Sequence, residues 1–374
     1  MKKYLLFFAA AAIGLASCSN DETVEVIKSD AISFRPLMNG MTRATVKSAF
    51  ASNDEINVYC TKGDVSPTSY FNNATFTYAA AGYSGFSSNP AYYWPSTIDG
   101  TTNLLTFYAT FNGAQTTAGN ISTFTPNAAA ESQVDLLCAK LAVSSKPDAG
   151  EITTLNFKHA LTQVEVKALN SNNTLKINIS GVKLGYVAKA GTLNFTSGSP
   201  AWTFTNPENA SDTYSYSQTW SAATLTSTAV VQGATWMIVP QNLTTGQSLP
   251  NKVYTKQYAS ATQTAANGTA NLDCAYIALQ LQFLNLANNA EIVATQWCYW
   301  PININLEAGK KYTFVIDAAG GGYQPGNIQN DASTALDEVL AGLAIKFSTA
   351  TSITAWVTDL DENPGTNDEI EVAM

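Results

Sequence analysis

The sequence predicts an all-β chain of two tandem antiparallel β-sandwiches, with at most one short helix near the C-terminus. Apolar residues recur with period two along many short segments, which is the signature of strands with one buried face. Gly, Asn, Ser and Pro break these segments at intervals of roughly 8–15 residues, the spacing of turns in a sandwich. Charged residues make up only 13% of the 374-residue chain against 45% hydrophobic. Thr, Ser, Asn and Tyr take the place of charge on the surface, which suits an extracellular β protein.

The elements follow in chain order. Lys2 and Lys3 form a basic start, and the apolar run from Tyr4 to Ile13 is too short to span a bilayer. Small residues then lead to Cys18. This is the layout of a bacterial lipoprotein signal over 1–17, with Cys18 as the lipidated residue, since an ordinary secretory signal needs no cysteine at that point. Several acyl chains on one cysteine anchor a protein stably, as one chain does not. Asp21 and Glu22 follow at once, an arrangement similar to the surface-export signal of Bacteroides-type lipoproteins.

A strand is predicted over Ala31–Pro36, then a polar turn-like segment Asn39–Thr45, then a strand in which Ile56, Val58 and Cys60 share a face. Leu105, Phe107, Ala109 and Phe111 form another face, as do Val134, Leu136 and Cys138. The same alternation recurs at Val164–Ala168, Leu175–Ile179, Ile277–Phe283 and Tyr312–Ile316. Ser333 as N-cap, with Leu336, Val339, Leu340 and Leu343 at helical spacing, predicts the one helix. The polar stretch Asn206–Asp212 is the expected domain boundary. Tyr93-Trp94-Pro95 and Tyr299-Trp300-Pro301 echo one another across it, in keeping with two similar halves.

Composition and motifs exclude several functions. Formal charge is −9, and −11 once the signal is removed (17 basic against 28 acidic side chains). With no basic cluster, nucleic acid is excluded as a partner. No C-x-x-C occurs and His159 is the sole histidine, so neither a zinc ribbon nor a His-based nucleophile couple is expected. His159 reads as structural. Asp359, Asp361, Asn363 and Gly365 imitate a calcium loop, but Pro364 and Ile370 stand where glycine and glutamate are required, so this is a solvated acidic turn. Catalytic, cofactor and metal residues are therefore expected to be none. Cys60, Cys138, Cys274 and Cys298 admit two readings, one disulfide per half or buried apolar side chains.

Arg35 and Arg43 are the chain's two arginines, and Arg43 lies in the polar segment after the first strand. An exposed arginine in such a segment is what an Arg-specific protease requires; the residues alone favour an ordinary surface side chain. An ordered set of motifs bears on the choice: Ile32-Ser33-Phe34, Thr42-Arg43-Ala44, Asp54–Val58, Tyr93-Trp94-Pro95, Leu105–Ala109, Asp135–Ala139, Phe157–Leu161, Ile238–Gln241, Gly309–Phe314 and Trp356. With the lipoprotein signal, this set resembles the fimbrillin family, the type V pilins of Bacteroides-type bacteria. The resemblance implies two transthyretin-like sandwich domains, passage to the outer membrane as a lipoprotein, and cleavage between Arg43 and Ala44 by an Arg-specific protease. It implies no cofactor.

On that basis residues 1–17 are the signal, 18–43 a lipidated propeptide carrying the first strand, 44–205 the N-terminal domain and 206–374 the C-terminal domain. The implied function is a non-enzymatic fimbrial subunit that supports adhesion and has other fimbrial subunits as partners. Loss of the first strand leaves an edge that a strand from another subunit fills. Ala344–Phe347, Ile353–Val357 and Glu369–Met374 are the candidate donors. Cys60 and Cys138 depart from the apolar family pattern, and the acidic tail Asp359–Glu369 also suits a tip or accessory subunit. The alternative function is a permanently anchored surface lipoprotein that binds glycans or host ligands through exposed Trp and Tyr.

Overall fold

A computed structural model describes residues 30–38, 49–79, 85–99, 103–148, 151–185, 187–203, 216–243, 275–302, 304–320 and 352–355. The protein is all-β. Among the described residues the helical turns are two short 3-10 segments, Ala130–Ser132 and Ala318–Gly320. The helix expected over Ser333–Leu343 lies outside the described residues.

The strands of the first part are β1 (Ser33–Met38), β2 (Glu55–Lys62), β3 (Thr68–Ala79), β4 (Gly85–Ser87), β5 (Leu105–Phe111), β6 (Asn120–Phe124), β7 (Leu137–Val143) and β8 (Thr153–His159). Next come β9 (Thr162–Leu169), β10 (Leu175–Gly185), β11 (Gly191–Asn194), β12 (Ala201–Thr203), β13 (Tyr216–Thr224), β14 (Val230–Val231), β15 (Trp236–Ile238) and β16 (Gln241–Asn242). The last are β17 (Tyr276–Asn285), β18 (Glu291–Pro301), β19 (Asn305–Leu306), β20 (Lys310–Asp317) and β21 (Ser352–Ala355).

Seven strands close into a barrel in the order β1-β4-β3-β2-β5-β7-β8. This goes one step beyond the open sandwich the periodicity suggests. The β2–β3 ladder is interrupted on both sides of Cys60, and Asn73 in β3 has φ 51°. Such irregularities increase local twist and let a sheet curl. β1 then joins the two ends, antiparallel to β4 and parallel to β8. The barrel is filled by rings, with Phe34, Phe76, Phe86, Phe107 and Phe157 all essentially inaccessible. Each such side chain contributes about 1.5–3 kcal/mol relative to exposure.

A second core lies between the sheets β13-β10-β17-β18 and β14-β9-β20-β21, with β15 also paired to β9. The predicted alternation supplies its inner faces: Val164, Val166, Ile177, Ile179, Leu279 and Leu281 are all buried. β9 runs parallel to β20, as β1 does to β8. In both cores, then, an early strand lies parallel against a late one. The boundary expected over Asn206–Asp212 falls outside the described residues; β9 and β10 precede it in sequence yet pair with β20 and β17, which follow it.

Candidate functional site

The feature that stands out is the slot occupied by β1. Ile32 and Phe34 point into the barrel at 1% and 0% exposure, and Met38 packs on the same core. Arg35 and Leu37, on the opposite face, are exposed. The Phe34 ring lies 5.1 Å from both Phe76 and Phe107, edge-on to the latter. Tyr92–Trp94 cap the strand's start: Ile32 N–H donates to Tyr92 O at 2.7 Å, and Trp94 N–H donates to Asp30 O at 2.9 Å. The Tyr93-Trp94-Pro95 and Ile32-Ser33-Phe34 motifs, 61 residues apart in the chain, thus meet at one end of the slot.

The two edges of β1 are unequal. Toward β4 the register covers only Ser33↔Ser87 and Phe34↔Phe86. Toward β8 it runs from Phe34↔Thr153 to Met38↔Phe157. Pro36 sits in the middle and has no N–H to give to either neighbour, a position tolerated only where a ladder is incomplete. Arg35 lies within this paired strand, opposite Thr154.

Phe50, just beyond the connection that follows β1, is the residue sequence reasoning missed. It is 8% exposed, and its ring centroid lies 4.9 Å from Phe86, 5.3 Å from Phe111 and 5.3 Å from Phe157. Both ends of the connection therefore meet Phe157: Met38 by strand register, Phe50 by ring packing. A single aromatic in a polar stretch has no periodicity to announce it; its only sequence signal is its isolation between Ala44 and Ile56. Arg43 and Ala44, in that connection, lie outside the described residues, as does Cys18.

The remaining candidate residues are structural where they are described. His159 Nδ1 lies 2.7 Å from Asp135 Oδ2, with the side chains 3% and 1% exposed. This joins the Asp135–Ala139 and Phe157–Leu161 motifs at the end of the β7–β8 pair. Cys60 faces the barrel interior, whereas Cys138 faces outward with Leu136, Ile121 and Phe195. Both are free thiols, as is Cys298, so the Cys60–Cys138 disulfide reading is corrected: opposite sides of the barrel wall separate them. Burial pushes the Cys138 and Cys298 thiols up to about 12 and raises Cys60 further, so all three are poor nucleophiles. Cys274 and the acidic turn at Asp359 lie outside the described residues. Among the described residues no group of His, Cys, Asp and Glu is arranged to hold a metal ion.

A family model described as fimbrillin-like matches residues 42–330, well over half of the chain. No curated protein matches it. Among solved structures the chain is similar to a candidate cell adhesion protein from Bacteroides ovatus, with 18% identity over 77% of this chain and 92% of that one and a TM-score of 0.43. A candidate cell adhesion protein from Bacteroides uniformis gives 17% identity, coverages of 77% and 94%, and a TM-score of 0.42. A fimbrial assembly protein from Parabacteroides distasonis gives 9% identity, coverages of 76% and 90%, and a TM-score of 0.34.

Proposed function

The chain belongs to the fimbrillin-like family, and from that premise we propose that it is a non-enzymatic structural subunit of cell-surface fimbriae that supports adhesion. In this reading it is made as a precursor lipidated at Cys18 and carried to the outer membrane. An Arg-specific protease then cuts between Arg43 and Ala44, freeing residues 18–43 with β1. The observation that carries the reading is the place of β1: a single strand that closes the barrel and is followed directly by the connection bearing Arg43.

Removing β1 exposes the pockets of Ile32 and Phe34 together with the unpaired edges of β4 and β8, a template for an incoming strand. Filling that slot from another subunit is a head-to-tail contact that does not close on itself, so it extends a filament. Of the two arginines, Arg35 is protected, since it is held in a paired strand and its peptide bond leads into Pro36. Residues 44–374 contain no arginine, so the product withstands the protease that made it. The two-domain division proposed from the sequence places the slot entirely in the N-terminal domain.

Incubating the purified chain with an Arg-specific protease tests the proposal, read by N-terminal sequencing and unheated denaturing gels. A new N-terminus at Ala44 with a ladder of detergent-resistant oligomers is the expected result; an intact Arg43–Ala44 bond sinks it. A second reading, a permanently anchored glycan-binding lipoprotein, has one observation in its favour. A cleft of about 490 Å³ in the second core is lined by Trp220, Thr224, Thr228, Val230 and Gln232 and carries no charged residue. Retention of the Cys18 lipid on the assembled surface protein would favour that reading.

A further inference from the structure

β13 and β14 are edge strands of the two sheets that enclose the second core, and the cleft of about 490 Å³ lies between them. Its origin is a matter of side-chain size. Tyr216, Gln218 and Trp220 alternate inward along β13, but beyond a register shift the residue opposite Ile179 is Ala223. On the facing sheet β9 carries Val164 and Val166 inward and then Ala168, which pairs with Val230. Two alanines thus stand where larger side chains would close the gap. Val230 shares the inward face of Ala168 yet stays 53% exposed, because the space beside it is open.

Both ends of the cleft are closed. At one end the connection after β13 is tied to both sheets. Leu225 N–H donates to Ile177 O at 2.8 Å, and Asn170 N–H donates to Thr226 O at 2.7 Å. At the other end Ala234 N–H donates to Gln218 Oε1 at 2.6 Å, a bridge from the chain after β14 to β13. Gly233 permits that approach: its φ is +71°, and a Cβ there would come within 2.3 Å of Gln218 Oε1. A cleft bounded in this way does not take a through-running strand. Its volume is that of a small-molecule pocket.

The walls decide the chemistry of the ligand. No charged residue lines the cleft. Its polar side chains are turned to partners within the protein: Thr224 Oγ1 donates to Asn178 Oδ1 at 2.9 Å, Thr226 Oγ1 to Thr228 O at 3.3 Å and Gln232 Nε2 to Val230 O at 2.8 Å. A saccharide, the ligand of the anchored-lipoprotein reading, needs hydrogen-bonding groups that converge on it. Ile179, Val230, Val231 and the Trp220 ring offer apolar surface instead, and an indole face suits a flat partner. We propose that this cleft binds a neutral, apolar small molecule built on a flat ring system, held against Trp220 and Val230. The site shares no residue with the β1 slot, so it stands or falls apart from strand exchange.

The test uses the full, uncleaved chain and the neutral fluorophore N-phenyl-1-naphthylamine, which brightens on leaving water. A saturating one-site rise in fluorescence is expected, together with a higher melting temperature in the presence of the probe. Ala223→Trp fills the cleft from its rim, and Val230→Asp puts a charge into it; each should weaken binding at least about tenfold. Val65→Asp removes a valine that is 95% exposed in the turn after β2 and should leave binding unchanged. A measurement on the unsubstituted chain does not depend on how the variants fold: 1-azidonaphthalene, photolysed with the protein, should label peptides within residues 216–233, and excess N-phenyl-1-naphthylamine should prevent it. No saturating signal, labelling confined to other peptides, or undiminished binding by both cleft variants overturns the proposal. Displacement of the probe by a neutral disaccharide such as maltose assigns the cleft to a sugar and overturns it as well. Loss of the signal as the protein is concentrated into dimers assigns it to a second copy, with the same consequence.

Discussion

At the scale of single residues, the slot and the motif junction make opposite demands on chemistry. Phe34 acts by volume alone, and Phe34→Ala should cost about 3–5 kcal/mol in the uncleaved chain, read by urea denaturation. The same substitution should leave the protease-treated product unaffected, because β1 has departed. His159 acts by hydrogen bonding. His159→Ala leaves the buried Asp135 side chain without this hydrogen-bond partner and should cost about 1–3 kcal/mol. Burial, as the largest cause, also sets the alkaline limit. The Tyr312 phenol is pushed from its ordinary 10 up to about 12 by desolvation, and the Cys138 and Cys298 thiols rise from 9 to about 12 for the same first cause. A raised folded-state pKa means the native chain holds its proton longer than the unfolded one. The associated stability is complete below the unfolded-state values and is lost as pH climbs toward the folded ones. The urea midpoint should therefore stay level up to about pH 9 and fall steadily between about pH 9 and 12.

At the scale of elements, what was legible in the sequence is what periodicity can carry. β5, β9, β10, β17 and β20 each present a buried face at the residues whose alternation predicted it. β1 was legible as a strand, though it runs over Ser33–Met38 and so ends two residues beyond the expected Ala31–Pro36. Its parallel pairing with β8 was not legible, because that partner begins more than 100 residues downstream and no local pattern encodes a register over such a distance. Two-residue strands such as β14, β16 and β19 are too short to show any period. The cysteines were ambiguous because a thiol in phase with core residues reads the same whether or not it has a partner; only their placement on opposite sides of the barrel wall decides. The element-level prediction concerns the two arginines. Arg43→Gln should abolish release of residues 18–43, whereas Arg35→Gln should leave it unchanged, as read by mass spectrometry of the protease digest.

At the scale of the molecule, the question is whether the barrel can lose a strand without unravelling what it is attached to. β8 passes into β9 through Ala160 and Leu161 alone, and both are fully buried. They belong to a third cluster with Leu136, Cys138, Phe195 and Met237, residues drawn from the barrel wall and from strands on the side of the second core. Polar ties reinforce it: Trp202 Nε1–H donates to Ala160 O at 2.7 Å, Met237 N–H to Gln133 Oε1 at 2.6 Å and Gly309 N–H to Leu161 O at 2.8 Å. None of these contacts involves β1, which lies against β4 and β8 near Phe76 and Phe107. Loss of β1 therefore weakens the barrel while leaving the joint and the second core as they were. In the intact chain the shared cluster should couple the two cores, and calorimetry should record one cooperative transition. After cleavage, with the slot kept empty by holding the protein dilute, that transition should split: the barrel melts first, and the second core stays near its original temperature. Refilling the slot should merge the two again, because an occupied β1 position restores the barrel's stability without touching the joint. A cleaved, unfilled chain that still melts in one step at the original temperature would show that β1 contributes little to closing the barrel, and the case for a releasable strand would fall with it.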